Sequence, residues 1–240
     1  MRLLPLVPAV LALALLASGC TDESAQTQDI VSSIPWPDHE RAQYVRLDLD
    51  GERERGQGVL EVTRRDEQFE LGLRFEHEGN SDEGLVTVDA TTLKPVSVRR
   101  ELRGEENVTI EAEYDAVEKV ITVTEIEDGD ERSIPRRLDK EHYYDNESSL
   151  FLWRTIDFRE GYQATYYTVL PNQGGTQHTV SLRVDGKEEV TVPAGTFDAW
   201  RLEIDDGDRH QVAWYADTPG RPLVQYDNDF NSILRLTDIE

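Results

Sequence analysis

From Tyr44 onward, apolar and polar residues alternate with a period of two, and turn-forming residues interrupt the alternation about every eight to twelve residues. Successive side chains of a β-strand point to opposite faces, so this period is typical of half-buried strands. Strands joined by such short turns are antiparallel neighbours. The pattern predicts strands near residues 43–49, 57–65, 67–77, 84–91, 95–103, 107–115, 118–126, 161–170, 176–185, 187–193, 196–204, 208–216, 221–227 and 231–237.

Glycine and proline mark the turns between these strands. A primed hairpin turn needs positive φ angles, which Gly, Asp and Asn adopt at low cost. In the Pro193-Ala194-Gly195 corner, proline ends one strand where a missing N–H does no harm, and glycine supplies the dihedral angle for the return strand. We interpret this corner as structural. Hairpin turns are also predicted at Asp50-Gly51, Asp128-Gly129, Asp185-Gly186 and Asp206-Gly207.

The predicted strands carry one apolar face. Leu71, Leu73 and Phe75 occupy every second position, and polar residues or glycine stand between them. A long sheet with one apolar face does not stay open and flat, so it curls into a half-barrel or barrel or folds into two packed layers. The predicted fold class is mainly β, an antiparallel meander curled into a half-barrel or barrel. Residues 134–144 lack the alternation and are predicted to be a loop that crosses between two halves of the sheet.

One short helix is predicted over residues 146–156. Asp145 or Asn146 can cap its N-terminus, and Glu147 lies in its first turn, where an acidic side chain is favourable. We expect this helix to cover the concave side of the curled sheet. Its predicted buried residues are Leu150, Phe151, Trp153 and Ile156.

The N-terminus differs from the rest of the chain. Met1-Arg2 is a short basic start, residues 3–18 are mostly apolar, and small residues precede Cys20, the sole cysteine. An apolar stretch of about 15 residues with two prolines is shorter than the roughly 20 residues that a membrane-spanning helix needs. This N-terminus resembles a bacterial lipoprotein signal peptide with its lipobox, although Ala17 stands where leucine is usual.

That resemblance implies that residues 1–19 are a lipoprotein signal peptide and that Cys20 is the lipid attachment site, with acyl chains such as palmitate. At about 0.8 kcal/mol for each buried methylene, two or three long chains hold a protein at a membrane without a spanning helix. Residues 20–33 are polar and are predicted to be the lipidated cysteine and a flexible tether. Residues 34–240 are predicted to form a single antiparallel β domain.

Acidic residues outnumber basic residues by 49 to 25, which gives a formal net charge of −24. Such a surface disfavours nucleic acid and anionic lipid headgroups as partners. The acidic residues are scattered along the chain, as is typical of a solvated surface. We therefore expect membrane association through the lipid on Cys20 and no nucleic-acid partner.

No motif in the sequence predicts catalysis, a metal or a cofactor. The histidines, at positions 39, 77, 142, 178 and 210, lack the spacing of zinc ligands, and the acidic turns do not match an EF-hand loop. The chain contains neither a Gly-x-Ser-x-Gly elbow nor a Gly-rich phosphate loop before a helix. We expect no catalytic residue, no metal and no cofactor, and a protein that is not an enzyme.

Aromatic residues are the remaining candidates for a binding site. Trp200 and Trp214 lie on consecutive predicted strands, where they can face each other across a hairpin, and such pairs belong most often to a core. The alternative is that aromatic side chains line an apolar groove between the sheet and the helix. The candidate ligand-lining residues are Trp153, Tyr166, Trp200 and Trp214.

Five segments in the C-terminal part of the chain resemble a known family. They are residues 149–155, 158–162, 186–202, 213–215 and 223–226. Together they are similar to the bacterial envelope family named domain of unknown function 3108. The resemblance implies an exported, β-rich protein, distantly like carriers and sensors with a LolA/LolB-type half-barrel. That family has no established catalytic or ligand residue, so the resemblance transfers no site residue.

The functional hypothesis is a lipid-anchored protein of the bacterial cell envelope, facing the periplasm or the exterior. If the source is Gram-negative, Thr21 after the cysteine, rather than Asp, favours the outer membrane. We expect a non-catalytic binding module that holds a hydrophobic ligand or a lipid on the concave face. The alternative is a structural or assembly partner that meets other envelope proteins through the charged face of the sheet. An enzyme is the least favoured hypothesis.

Overall fold

Within residues 26–105 and 107–240, which the computed structural model describes, the alternating segments form fifteen strands. A short α-helix, α1 (Ser149–Leu152), is flanked by 3-10 turns at Asn146–Ser148 and Trp153–Thr155, and a further 3-10 turn spans Pro171–Gln173. We refer to residues 146–155 as the helical segment. The strands are β1 (His39–Leu47), β2 (Glu54–Arg65), β3 (Gln68–His77), β4 (Asn80–Asp89), β5 (Pro95–Arg103), β6 (Val108–Asp115), β7 (Val120–Glu127), β8 (Asp130–Arg137), β9 (Tyr143–Asp145), β10 (Gln163–Leu170), β11 (Thr176–Val192), β12 (Gly195–Asp205), β13 (His210–Ala216), β14 (Leu223–Asp227) and β15 (Ile233–Ile239).

All the strands belong to one sheet, with the order β8-β7-β6-β5-β4-β3-β2-β1-β15-β14-β13-β12-β11-β10-β9. Neighbouring strands are antiparallel, except that β9 is parallel to β10. The first and last strands pair with each other in the middle of the sheet, with Tyr44 opposite Leu236. The sheet therefore has two meandering halves, β1–β8 and β9–β15, that are joined through the pairing of β1 with β15.

The sheet curls until its two ends come into contact. The Tyr114 ring on β6 stacks on the Tyr143 ring on β9 with centroids 6.3 Å apart. Arg136 Nε on β8 donates to the Gly174 carbonyl oxygen after β10, at 2.6 Å. A Cβ atom at Gly175 would lie 2.6 Å from Ile121 on β7. Side chains close this gap without strand pairing, so the sheet is open, and the prediction of a curled, mainly β fold with a short covering helix is confirmed.

The core lies on the inner face of the curled sheet and includes residues from both halves. Val86 and Ala112 on one half, and Leu202 and Ala213 on the other, belong to the same buried cluster. The helical segment packs into it, and the four predicted buried residues, Leu150, Phe151, Trp153 and Ile156, are all buried.

Asp145 caps the helical segment as predicted. Its Oδ1 atom accepts a hydrogen bond from the Glu147 amide at 2.8 Å, and its carbonyl oxygen accepts one from the Ser148 hydroxyl. The segment ends where Ile156 adopts an extended conformation. The predicted helix is thus present, but only four of its residues are α-helical.

The hairpin turn predicted at Asp185-Gly186 is wrong, because β11 runs straight through it from Thr176 to Val192. The pairing with β12 instead shifts by one residue between Val184 and Gly186, which is a β-bulge. Glycine suits the bulge because its φ angle there is +153°. The other predicted turns connect strands as expected, and Pro193-Ala194 is the tight turn between β11 and β12.

The loop predicted over residues 134–144 is also wrong in part, since it contains the end of β8 and most of β9. β8 is exposed along nearly its whole length, so its sequence has no apolar period to mark it. β9 has only three residues, which is too short for a period to be visible.

The described part of the N-terminal region packs against the domain. Ile30 is 2% exposed and belongs to the core, and the Gln28 amide donates to the Thr165 carbonyl oxygen at 2.9 Å. Asp29 forms an ion pair with Lys94 at 2.5 Å. The domain therefore includes residues 28–33, which composition assigns to the flexible tether. The predicted signal peptide and Cys20 lie outside the described residues. No helix in the described part of the chain is long and apolar enough to cross a membrane.

Candidate functional site

A groove of about 510 Å³ lies between the inner face of the sheet and the helical segment. Strands from both halves of the sheet contribute to it, so the groove exists because the sheet curls. Its apolar lining is Leu73, Phe75, Leu150, Trp153, Tyr166, Leu170, Val180, Ile204, Tyr226, Phe230 and Leu234. Its charged lining is Arg46, Asp82, Arg100, Glu147, Asp206, Asp208 and Arg209, and His178 and Thr168 also line it.

Hydrogen bonds fix the aromatic part of the groove. The Trp153 indole Nε1 donates to the Tyr166 hydroxyl at 2.9 Å, and the Trp153 ring packs on Tyr226 with centroids 6.1 Å apart. The Tyr226 hydroxyl in turn donates to the Gln211 side-chain oxygen. The polar atoms of these rings are thereby satisfied, and their apolar surfaces remain available to form the wall.

A partly buried ion cluster forms another part of the wall. Arg100 on β5 binds Asp82 on β4 through two hydrogen bonds of 2.8 and 2.7 Å, and Glu147 of the helical segment at 3.2 Å. Burial alone would lower the pKa of Arg100, but the two carboxylates raise it well above its ordinary value. Burial raises the pKa of Glu147, against the opposing charge of Arg100. The cluster ties the helical segment to the sheet.

Asp145 lies behind this cluster and is completely buried. The Tyr114 hydroxyl donates to its Oδ2 atom. Burial, followed by the neighbouring Glu147 charge, raises the pKa of Asp145 to about 7, although the Tyr114 hydrogen bond opposes this shift. Asp145 is therefore a carboxyl group that titrates close to neutral pH.

Arg46 lies where the groove meets a second cavity of about 240 Å³, because it lines both together with Phe75 and Asp82. Its half-buried guanidinium donates one hydrogen bond, to the Asn231 side-chain oxygen at 3.2 Å. Burial lowers the pKa of Arg46, and the nearby Asp82 charge partly offsets that effect.

The structure brings two of the four predicted ligand-lining residues together and separates the other two. Trp153 and Tyr166 line the groove, whereas Trp200 and Trp214 do not. Trp200 pairs with Tyr215 and Trp214 pairs with Arg201, so the two tryptophans point to opposite faces of the sheet.

The two separated tryptophans have other contacts. Trp200 stacks on Phe158 with centroids 6.1 Å apart and donates to Asp217 at 3.0 Å. Trp214 donates to Glu188 at 2.5 Å on the charged outer face. Both indole groups are therefore used in packing and hydrogen bonding away from the groove.

Sequence reasoning missed the charged residues of the groove. Arg46, Asp82 and Arg100 lie on three different strands, and no spacing between them marks a site. Alternation along β4 could have placed Asp82 on the inner face with Val86, as a polar residue at an apolar position. No group of three or more His, Cys, Asp or Glu residues suited to a metal ion occurs within residues 26–105 and 107–240.

An open, curled antiparallel sheet with a groove beside a short helical segment defines the class, a mainly β protein with a ligand-sized groove. The chain belongs to the family described as protein of unknown function (DUF3108), whose model matches residues 46–232.

A crystal structure from Bacteroides fragilis NCTC 9343, of a "putative exported protein with YmcC-like fold", aligns at 11% identity. The alignment covers 88% of this chain and 99% of that chain, with a TM-score of 0.30. Comparison with curated proteins gives no match. The more distant likeness to LolA/LolB-type carriers stays a prediction.

Proposed function

We propose that this protein is a non-catalytic binding module of the bacterial envelope that holds a hydrophobic ligand or a lipid in the groove. The observation that carries the proposal is the groove itself, because side chains leave about 510 Å³ of it unfilled. Ligand pockets span about 300–1,000 Å³ and combine apolar walls with a few polar groups. The groove has this size, and its wall combines apolar and aromatic residues with many polar and charged ones.

Polar side chains of the groove already bind one another, which supports ligand binding rather than catalysis. Asp82 and Glu147 are held by Arg100, and Asp206 accepts from Arg209 at 3.1 Å and from Gln211 at 2.9 Å. A nucleophile or a general base needs a free reactive atom within hydrogen-bond reach of its partner. These carboxylates instead bind arginine and amide groups of the same wall.

The alternative, an assembly partner that uses the charged face, has less support. On that face Arg99 pairs with Glu101 and Glu111, and Arg183 pairs with Asp185 and Glu203. Local pairs of this kind satisfy the charges of the sheet within one chain, and exposed pairs of this type contribute little energy.

We also propose that Cys20 carries the lipid anchor. Cys20 and Gln28 are eight residues apart in the sequence. A fully extended chain of eight residues is at most about 28 Å long, so the anchor would hold the domain within that distance of the membrane. Replacement of Cys20 by Ser is expected to abolish incorporation of a radioactive fatty acid and to release the protein from the membrane fraction. Unchanged labelling would contradict the anchor and would leave the groove proposal untouched.

The groove proposal is tested with the neutral fluorescent probe N-phenyl-1-naphthylamine. Leu170 lines the groove and is half-exposed, so Leu170→Glu places a charge there at low cost to folding. We expect the variant to bind the probe about tenfold more weakly than the wild type. Leu85→Glu is the matched control, because Leu85 is 43% exposed and lies on the outer face of β4.

The expected result is probe binding that Leu85→Glu leaves intact and Leu170→Glu weakens. Native mass spectrometry of gently delipidated protein is expected to detect an apolar molecule that rebinds on addition. Absence of both probe binding and rebinding, or equal losses in the two variants, would overturn the proposed function.

A further inference from the structure

Arg46 is a half-buried arginine of the groove that lacks an acidic partner within residues 26–105 and 107–240. Within the described residues, no carboxylate lies within 4.0 Å of its guanidinium, although the chain has 49 acidic residues. Arginine has five N–H donors, and Arg46 uses one of them, on Asn231 at 3.2 Å. Arg46 lines both cavities.

The other arginines of the groove are already paired. Arg100 binds Asp82 and Glu147, and Arg209 binds Asp206 at 3.1 Å. Asp208 is exposed, at the end of the groove formed by the β12–β13 turn. Arg46 is therefore the arginine of the groove wall that has no carboxylate within 4.0 Å in the described part of the chain.

A second polar feature lies on the opposite half of the sheet. Thr168 is 4% exposed and lines the groove, and its hydroxyl has no hydrogen-bond partner among the described residues. His178 is its cross-strand neighbour on β11 and lines the groove too. Buried polar atoms are usually hydrogen-bonded, so the unpaired Thr168 hydroxyl is an exception in the wall of the groove.

Half-burial of an unpaired arginine costs free energy, and the sequence could have supplied an acidic partner. A bound anion offsets that cost, since the planar guanidinium binds carboxylate or phosphate with two parallel hydrogen bonds. Next to Arg46 the groove continues as an apolar wall that includes Phe75, Leu234 and Trp153.

We propose that the groove binds an anionic amphiphile, a single carboxylate or phosphate on an apolar chain. This ligand class rests on the function proposed above. The head group binds Arg46, and the chain lies along the apolar wall. The surplus of acidic residues elsewhere does not prevent this, because charges are screened over about 8 Å at physiological ionic strength.

The test compares four probes by isothermal titration calorimetry: dodecanoate, dodecyl phosphate, neutral dodecanol and inorganic phosphate. In the wild type, the two anionic amphiphiles are expected to bind at least about tenfold more tightly than dodecanol. Arg46→Gln is expected to remove this preference and to leave dodecanol binding unchanged, while Arg46→Lys retains part of it. Inorganic phosphate is expected to bind far more weakly than dodecyl phosphate.

Arg235→Gln is the matched control. Arg235 is also half-buried, also lacks an ion-pair partner among the described residues, and bonds Gln225 at 3.1 Å, but it points to the other face of the sheet. The substitution changes the net charge by the same amount, so it is expected to leave the preference intact. A thermal melt of each variant verifies folding.

The outcomes separate the two proposals. If no amphiphile binds the wild type, the proposed function fails. If dodecanol binds as tightly as the anionic probes, or if Arg46→Gln keeps the preference while folded, the anionic ligand is wrong and the binding module stands. If inorganic phosphate binds as tightly as dodecyl phosphate, the site recognises a free anion and the amphiphile is wrong.

Discussion

Arg154 and Glu40 form a buried, bidentate ion pair between residues 114 positions apart in the chain. The Arg154 Nη1 atom lies 2.6 Å from Glu40 Oε1, and Nη2 lies 3.1 Å from Oε2. Arg154 also donates to the carbonyl oxygens of Arg221 and Gly220, at 2.9 and 2.5 Å. One side chain therefore joins the helical segment to β1 and to the β13–β14 connection.

Breaking this pair is expected to be costly. Glu40→Gln leaves the Arg154 charge buried without its counter-ion, and we expect a loss of about 3–5 kcal/mol in the free energy of unfolding. The neighbouring pair of Arg41 and Glu61, at 3.1 Å, is partly exposed, so Arg41→Met should cost no more than about 1 kcal/mol. Urea denaturation measures both. Similar losses in the two variants would contradict a special role for Arg154.

Gly56 on β2 has no room for a side chain. A Cβ atom there would overlap the backbone oxygen of Glu76, which the β3 strand cannot move aside. We expect Gly56→Ala to destabilise the protein by about 1–3 kcal/mol. At Gly72 on β3, a Cβ atom would lie 3.7 Å from its nearest neighbour, in Glu61, so Gly72→Ala should be tolerated. Thermal unfolding of the two variants compares these costs, and equal melting temperatures would refute the steric argument.

Asp145 makes stability depend on pH. Its pKa is raised in the folded protein from an ordinary value of 3.8 to about 7, so the native state holds the proton more tightly than the unfolded state. The stability from protonated Asp145 is fully present below about pH 4 and is lost as the pH rises through about 7. Asp145→Asn stays neutral, so the stability difference between wild type and variant should change over this window.

The measurement is urea unfolding of both proteins from about pH 5 to about pH 8. Subtracting the free energy of unfolding of the variant from that of the wild type at each pH removes the contributions of carboxylates such as Asp89 and Glu101. The lowered pKa values of these carboxylates act in the opposite direction. The wild type should lose stability relative to Asp145→Asn as the pH rises. A carboxyl carbon NMR titration gives an independent check, because a midpoint near pH 4 for Asp145 would rule out the effect.

Local sequence patterns were sufficient to predict most strands, the Asp145 cap and the buried face of the helical segment. They worked because each depends on residues a few positions apart. The period-two pattern failed at β8, where both faces are exposed, and the Asp-Gly signal failed at Gly186, where a positive φ angle serves a bulge.

The candidate site was harder to predict because its parts are distant in sequence. Trp153 and Tyr166 were found by residue type alone, whereas Arg46 and Arg100 reach the groove through strand register. Register also separates Trp200 from Trp214, since a shift of one residue moves a side chain to the other face.

The N-terminal segment gives the last prediction, because composition alone assigned it to a flexible tether. Ile30 follows a run of polar residues, yet its side chain is 2% exposed and packs in the core. Its amide donates a hydrogen bond to the Tyr144 hydroxyl at 3.3 Å. We expect Ile30→Ala to lower the free energy of unfolding by about 2–5 kcal/mol. Val117 is 88% exposed, so Val117→Ala should change it by less than about 0.5 kcal/mol. Urea denaturation measures the free energy of unfolding of both variants. Equal values for the two would show that residues 28–33 act as a tether after all.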